Sequence, residues 1–250
     1  MLGLGNSITG GAALDTFDLS SVSSLQAWFK KGEGITTDGG NVSSWVSQVG
    51  NLAFTQPNSA KQPVHDASTD VIQFTQLRQM DLHTADGLAD RSVTGGTGNA
   101  ITVCVAMKLN VDNTNVNTQF QHILKDVGSE RVSMFLTGDF FFIGGDTASA
   151  TMKGVAAGQF TDDEVMLVTW SYAGGTDGAA KVFKNTNTTQ LNDAATVTAG
   201  AIELNQLGDD GAAGGRGVTS GIIEIAIFNE ALDNKDLERV LIDISSRIGV

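Results

Sequence analysis

From Gly221 to Phe228 the chain reads Gly-Ile-Ile-Glu-Ile-Ala-Ile-Phe, a nearly unbroken β-branched and aromatic run that calls for a central strand buried on both faces. Ile223, Ile225 and Ile227 recur at period two and are expected to share one face. Asp233 then stands where a helix N-cap would, with Asp236 three residues on. After it, Leu237, Val240, Leu241, Ile244 and Ile248 form one apolar stripe at helical spacing, so this C-terminal helix must lie on something.

The rest of the chain reads as short strands between turns. Ile101, Val103, Val105, Met107 and Leu109 alternate with Thr102, Cys104, Ala106 and Lys108, the cleanest strand pattern in the sequence. Val71 to Phe74, Gln121 to Leu124, Val132 to Leu136, Phe140 to Ile143 and Val165 to Tyr172 are further strands. Thr137-Gly138-Asp139 suits a hairpin between two of them. The stretch from Gln76 to Asn99, with its charges, glycines and His83, reads as a loop. Thirty glycines against two prolines fit a chain with many turns, and one convincing helix among so many strands predicts an all-β, two-sheet antiparallel sandwich.

The order LQAWF … TDGGNVSSW … GN … QP, beginning at Leu25, resembles the opening of LamG-like, or concanavalin A-like, jelly-roll domains. The end, a strand followed by Phe228-Asn229-Glu230-Ala231-Leu232 and an amphipathic helix, resembles the closing elements of the same domains. Lys181-Val182-Phe183-Lys184-Asn185 sits where such domains carry a strand ending in Asn-Gly; Asn185-Thr186 in its place predicts a longer turn. The resemblance implies a jelly-roll β-sandwich with a short C-terminal helix over residues 25–250, preceded by an N-terminal arm over 1–24. It fixes a fold, and that fold serves sugar binding, hydrolysis and packing alike.

Composition narrows the function. A net charge of -13 and no basic cluster larger than Lys30-Lys31 argue against a nucleic-acid surface. No apolar run is long enough to cross a bilayer, and the first residues carry no basic n-region, so neither a membrane nor an ordinary secretory signal is expected. Cys104, in an apolar run, reads as a buried inert thiol. His65, His83 and His122 lack metal-ligand spacing. No metal or cofactor is therefore expected, although Asp209-Asp210, Asp177 and Asp38-Gly39-Gly40 offer oxygen ligands to Ca²⁺ as alternatives to ordinary turn roles.

Catalysis by a glycosidase would need two facing carboxylates. Glu224 and Glu230 are the nearest approach, but Ala226 occupies the position where the laminarinase-like ExDxxE motif requires its central Asp. A non-enzymatic role is the expectation, with a divergent glycoside hydrolase as the lesser reading. Carbohydrate binding would want outward aromatics beside polar loops; Tyr172 and Phe141 are the candidates, whereas Trp28, Trp45 and Trp170 read as core.

The arm, rich in Gly, Ser and Thr, carries Met1, Leu2, Leu4, Ile8, Leu14 and Phe17 at intervals. Such a segment cannot fold alone but can lie along another subunit, so these six are candidate assembly contacts. The start MLGLGNSITGG ahead of a LamG-like domain resembles small structural proteins of tailed phages. That resemblance implies a virion location, as a capsid decoration or fibre-like component, with other virion proteins or further copies of the chain as partners. The alternative is a carbohydrate-binding adhesin of a tail fibre or cell surface.

Overall fold

The computed structural model describes residues 17–75, 78–110, 120–125, 131–135, 140–144, 152–154, 159–175, 178–191, 196–197, 202–208 and 218–250. Of these, 120–122, 131–135, 140–144, 152–154 and 196–197 are described by backbone alone. The first strands are β1 (Leu25–Phe29), β2 (Ile35–Asp38), β3 (Asn41–Val46), β4 (Leu52–Thr55), β5 (Val64–Asp66), β6 (Val71–Gln73) and β7 (Gln79–Thr84). Next come β8 (Val93–Thr94), β9 (Ile101–Lys108), β10 (Phe120–Lys125), β11 (Arg131–Phe135), β12 (Phe140–Gly144) and β13 (Met152–Gly154). The last are β14 (Val165–Tyr172), β15 (Gly178–Lys184), β16 (Thr196–Val197), β17 (Glu203–Leu204), β18 (Gln206–Gly208) and β19 (Gly221–Phe228), before helix α1 (Asn234–Ile248).

The strands form two antiparallel layers. One runs β1, β19, β9, β14, β15, β16. The other runs β2, β3, β4, β7, β18, β10, β11, β12, β13. Because β6 pairs with both β19 and β5, and β5 touches β3, the hydrogen bonding continues around one side and the layers are two halves of a curled sheet. A separate small ladder joins β8 to β17. This is the expected two-sheet jelly-roll sandwich with a C-terminal helix.

Strand alternation builds the core between the layers. Ile101, Val103, Val105 and Met107 of β9 face Trp45, Phe54, Met80 and Leu82 of the opposite layer within one buried cluster. Phe29 of β1 crosses the gap, its ring 5.4 Å from that of Trp45 and 4.4 Å from that of Phe54. Tilted aromatic packing of this kind adds about 0.5–1.5 kcal/mol per pair beyond the area it buries.

The other face of the β19 layer is equally apolar and lies under α1. Cys104, Ala106, Leu167, Phe183, Ala226 and Phe228 there meet Leu237, Val240, Leu241 and Ile244 of the helix, while Ile248 is only partly buried. Asp233 caps α1, accepting from the backbone N–H of Lys235 at 3.0 Å and of Asp236 at 2.9 Å. Gly249 ends it in the left-handed region at φ 81°, its N–H donating back to the carbonyl of Ser245.

Three expectations are corrected. The register of β19 against β9 slips between Ile222 and Glu224. This bulge puts Ile223 on the helix side and leaves Ile222, rather than Ile223, in the inter-sheet core with Ile225 and Ile227. The stretch 76–99 is not one loop, since β7 lies inside its second layer between β4 and β18. Asn185-Thr186 is a tight turn: Asn187 donates to the carbonyl of Lys184 at 3.1 Å, and Asn185 takes φ 53°.

Of the stretch assigned to an arm, residues 17–24 are described, and several of them pack on the domain. Asp18 caps a single 3-10 turn, Leu19–Ser21, and Leu19 and Val22 are buried in the helix layer. Phe17 packs against the same layer, with Arg239 of α1 5.9 Å from its ring centre.

Candidate functional site

Of the residues singled out in the sequence, Glu224 is fully buried beneath α1 rather than in a cleft between carboxylates. Trp28 Nε1 donates to its Oε1 at 2.8 Å and the Lys31 N–H to its Oε2 at 3.3 Å. Arg247 Nη2 completes the set with Oε1 at 2.6 Å. Glu230 lies past the end of β19, exposed, with its carbonyl accepting from Thr102 Oγ1 at 2.8 Å. The structure does not bring the two carboxylates together.

Tyr172, expected to face out, is fully buried in the inter-sheet core, and its hydroxyl donates to the Gly175 carbonyl at 2.7 Å. Its place in β14 explains this: position 172 has the same parity as Met166, Val168 and Trp170, all core residues. Phe141 holds a place in β12 opposite Met134 and Lys153, and its side chain lies outside the described residues. Met1, Leu2, Leu4, Ile8 and Leu14 also lie outside them, as do Asp177 and Asp209-Asp210. Asp38, Gly39 and Gly40 form the exposed turn between β2 and β3. Among the described residues no three His, Cys, Asp or Glu side chains are grouped to hold a metal ion. Cys104 is enclosed, and burial, relieved only in part by Thr169, pushes its thiol up to about 12.

The outward face of the second layer has a different character from the outward face of the first. Trp45, Phe54, Met80, Leu207 and Leu124 point into the core, so their strand neighbours Ser44, Thr55, Asp81, Gln206 and Lys125 point away from it. These neighbours are also cross-strand partners. Thr36 pairs with Ser44, Ser44 with Thr55, Thr55 with Asp81, Asp81 with Gln206 and Gln206 with Lys125. The result is one unbroken polar row running perpendicular to six strands, exposed at Thr36 and half-buried elsewhere.

Part of the row is held in place by its own hydrogen bonds. Gln206 Nε2 donates to Asp81 Oδ1 at 2.7 Å. Thr55 Oγ1 lies 2.8 Å from His83 Nδ1, and His83 Nε2 lies 3.3 Å from Asp90 Oδ1. On the His83 side the turn 84–89 is closed by the Thr84 hydroxyl and the Leu88 N–H on Asp86, which together hold that carboxyl below its usual range. On the other side Gln79, also outward, is nearly covered. Gln56 Nε2 donates to the Gln79 carbonyl at 3.0 Å, Gln62 Nε2 to the Gln56 carbonyl at 2.7 Å, and Arg78 donates to the Gln62 carbonyl.

Short hydroxyl, amide and carboxylate side chains fixed on a flat frame can exchange hydrogen bonds with a polyhydroxylated ligand at small entropic cost. Sequence reasoning missed the row because its members stand as far apart as Thr36 and Gln206 and share no motif. One signal was present: Gln79-Met80-Asp81-Leu82-His83 alternates polar and apolar residues as an outward-polar strand must.

No protein-family model matches the sequence, and no curated protein matches it. Solved structures do match the fold. The binding domain of Paraclostridial Mosquitocidal Protein 1 aligns with a TM-score of 0.57 at 11% identity, over 90% of this chain and 52% of that one. The HCR/D W1238A mutant aligns with a TM-score of 0.53 at 10% identity, over 87% and 50%. A mutant of Trypanosoma rangeli sialidase displaying trans-sialidase activity aligns with a TM-score of 0.52 at 9% identity, over 90% and 33%. The chain thus spans about half of the first two and a third of the third, and at these identities the likeness is one of fold.

Proposed function

We propose that the protein is a non-enzymatic carbohydrate-binding module that recognises its ligand through the outward face of the second layer. The observation that carries this reading is the row Thr36, Ser44, Thr55, Asp81, Gln206, Lys125, which is polar throughout and partly pre-bonded. The row has a single lysine and otherwise short hydroxyl, carboxylate or amide groups, whose ordering on a ligand costs little side-chain entropy. One structure of similar fold, that of Paraclostridial Mosquitocidal Protein 1, is a binding domain, which agrees with a binding role. The non-catalytic part of the reading is supported by Glu224, whose carboxylate is enclosed and engaged by Trp28, Lys31 and Arg247.

Attachment to a larger assembly, such as a phage particle with other virion proteins or copies of this chain as neighbours, is a second element of the proposal. Phe17, Leu19 and Val22 sit in the helix layer, on the opposite side of the sandwich from the row. An arm leaving from there can hold the module to a partner without competing for the ligand face.

Affinity electrophoresis through gels containing laminarin, xylan, alginate or chitosan tests the binding reading. Retardation by at least one polymer that is lost in Asp81→Ala, at an unchanged melting temperature, is the expected result. Migration unaffected by all four would count against it.

A further inference from the structure

The row has a length as well as a chemistry. Its six members lie on six adjacent strands, one per strand, with no apolar residue interrupting them. Neighbouring strands stand about 4.8 Å apart, so the five steps from Thr36 to Lys125 span about 24 Å. A terminal sugar would meet two or at most three of these positions at once, leaving the others without a ligand group to bond.

We propose, building on the carbohydrate-binding reading above, that the row is a track for an internal stretch of a linear polysaccharide laid across the strands, rather than a seat for a chain end. The strand repeat is comparable with the advance of one pyranose ring along an extended chain, so successive sugars can meet successive strands. The sides of the track are built accordingly. Gln79, under Gln56 and Gln62, borders it on one side, and His83 with Asp90 borders it on the other. One end is open: Thr36 is exposed on β2, which among the described residues pairs with β3 alone. At the other end the pairing continues from Lys125 to Arg131 of β11, so a second basic residue extends the same register.

The test uses titration calorimetry on the whole chain with size-graded oligomers, from the disaccharide upward, of whichever polymer retards the protein. Affinity is expected to rise with each added sugar and to level off at roughly five or six units, the span of the row. Thr36→Val and Lys125→Ala, at the two ends, should leave short oligomers unaffected and bring the levelling-off to a shorter length. Thr55→Val, in the middle, should weaken every length, and serves alongside Asp81→Ala should the latter melt early. A disaccharide that binds as tightly as the polymer would overturn the track while leaving carbohydrate binding by this face intact. Length dependence unchanged by all four substitutions would place the ligand elsewhere and overturn it too. If no polymer is retained, the carbohydrate-binding reading itself has failed, and the track with it.

Discussion

Arg247, in the last turn of α1, places Nη2 2.6 Å from Oε1 of Glu224, a carboxylate with no exposed surface on the central strand β19. The same guanidinium bonds Asp243 Oδ2 at 2.5 Å and lies 5.2 Å from the Trp28 ring centre. Burial alone would lower the Arg247 pKa; the bonds to Glu224 first, and to Asp243 next, outweigh it and hold it above its ordinary value. One ion pair thus ties the lid helix to the sheet beneath.

Removing one partner should be far worse than removing both. Arg247→Ala leaves the Glu224 charge enclosed with only Trp28 and Lys31 as donors, and such orphaned charges cost about 3–5 kcal/mol. The double change Glu224→Leu with Arg247→Met, which withdraws the charge as well, should unfold in urea close to the parent midpoint. Equal destabilisation in the single and double variants would show that the pair acts by shape alone.

The bulge that aims Glu224 at the helix is also where the sequence misleads most. The buried character of residues 222–228 and the stripe of α1 are written plainly in their side chains, and both are found as expected. A one-residue slip is not: it changes which isoleucine faces which way without altering the composition of the run. Tyr172 misleads for a related reason, since strand parity, not the polar hydroxyl, decides its direction, and the Gly175 carbonyl satisfies that hydroxyl inside. The candidate binding row was hidden for a third reason. Cross-strand partners such as Thr55, Asp81 and Gln206 meet only through the pairing of distant segments, and local periodicity carries no information about register.

Cys104 gives a prediction with a definite sign. Its thiol is raised from 9.0 to about 12 in the folded protein, chiefly by burial. Between those values the unfolded chain gives up the proton and the folded one keeps it, so stability present below pH 9.0 should fall as pH rises toward about 12. Cys104→Ala should remove this part of the alkaline loss, measured as the difference in urea midpoint between variants across that range. In the native protein at pH 8 a thiol reagent should react only at the rate of opening.

Gly96 is required by a close approach. A Cβ there would stand 1.9 Å from the Asn229 carbonyl oxygen, a backbone atom that cannot swing aside as a side-chain tip can. Gly96→Ala should therefore cost about 1–3 kcal/mol, the usual range for overpacking, and lower the melting temperature. An unchanged melting temperature would mean that the 95–100 segment shifts freely against the end of β19.

The N-terminal segment divides into two parts with different predicted consequences. Leu19 is 1% exposed and Val22 8%, both against the layer that α1 closes, and full burial of such a side chain is worth roughly 1.5–3 kcal/mol. Deleting residues 1–22 should therefore destabilise the sandwich by several kcal/mol, on the order of the sum of those two terms, and it also removes the Phe17 contact with Arg239. Deleting residues 1–16 leaves all of these contacts in place. That shorter truncation should melt with the full chain and bind polysaccharide with the same affinity, because the row lies on the far side of the sandwich. If the arm serves attachment, the same variant should lose co-sedimentation with the particle or partner that retains the full-length protein. Full retention would overturn attachment through residues 1–16, and a lowered melting temperature would show instead that those residues dock onto their own domain.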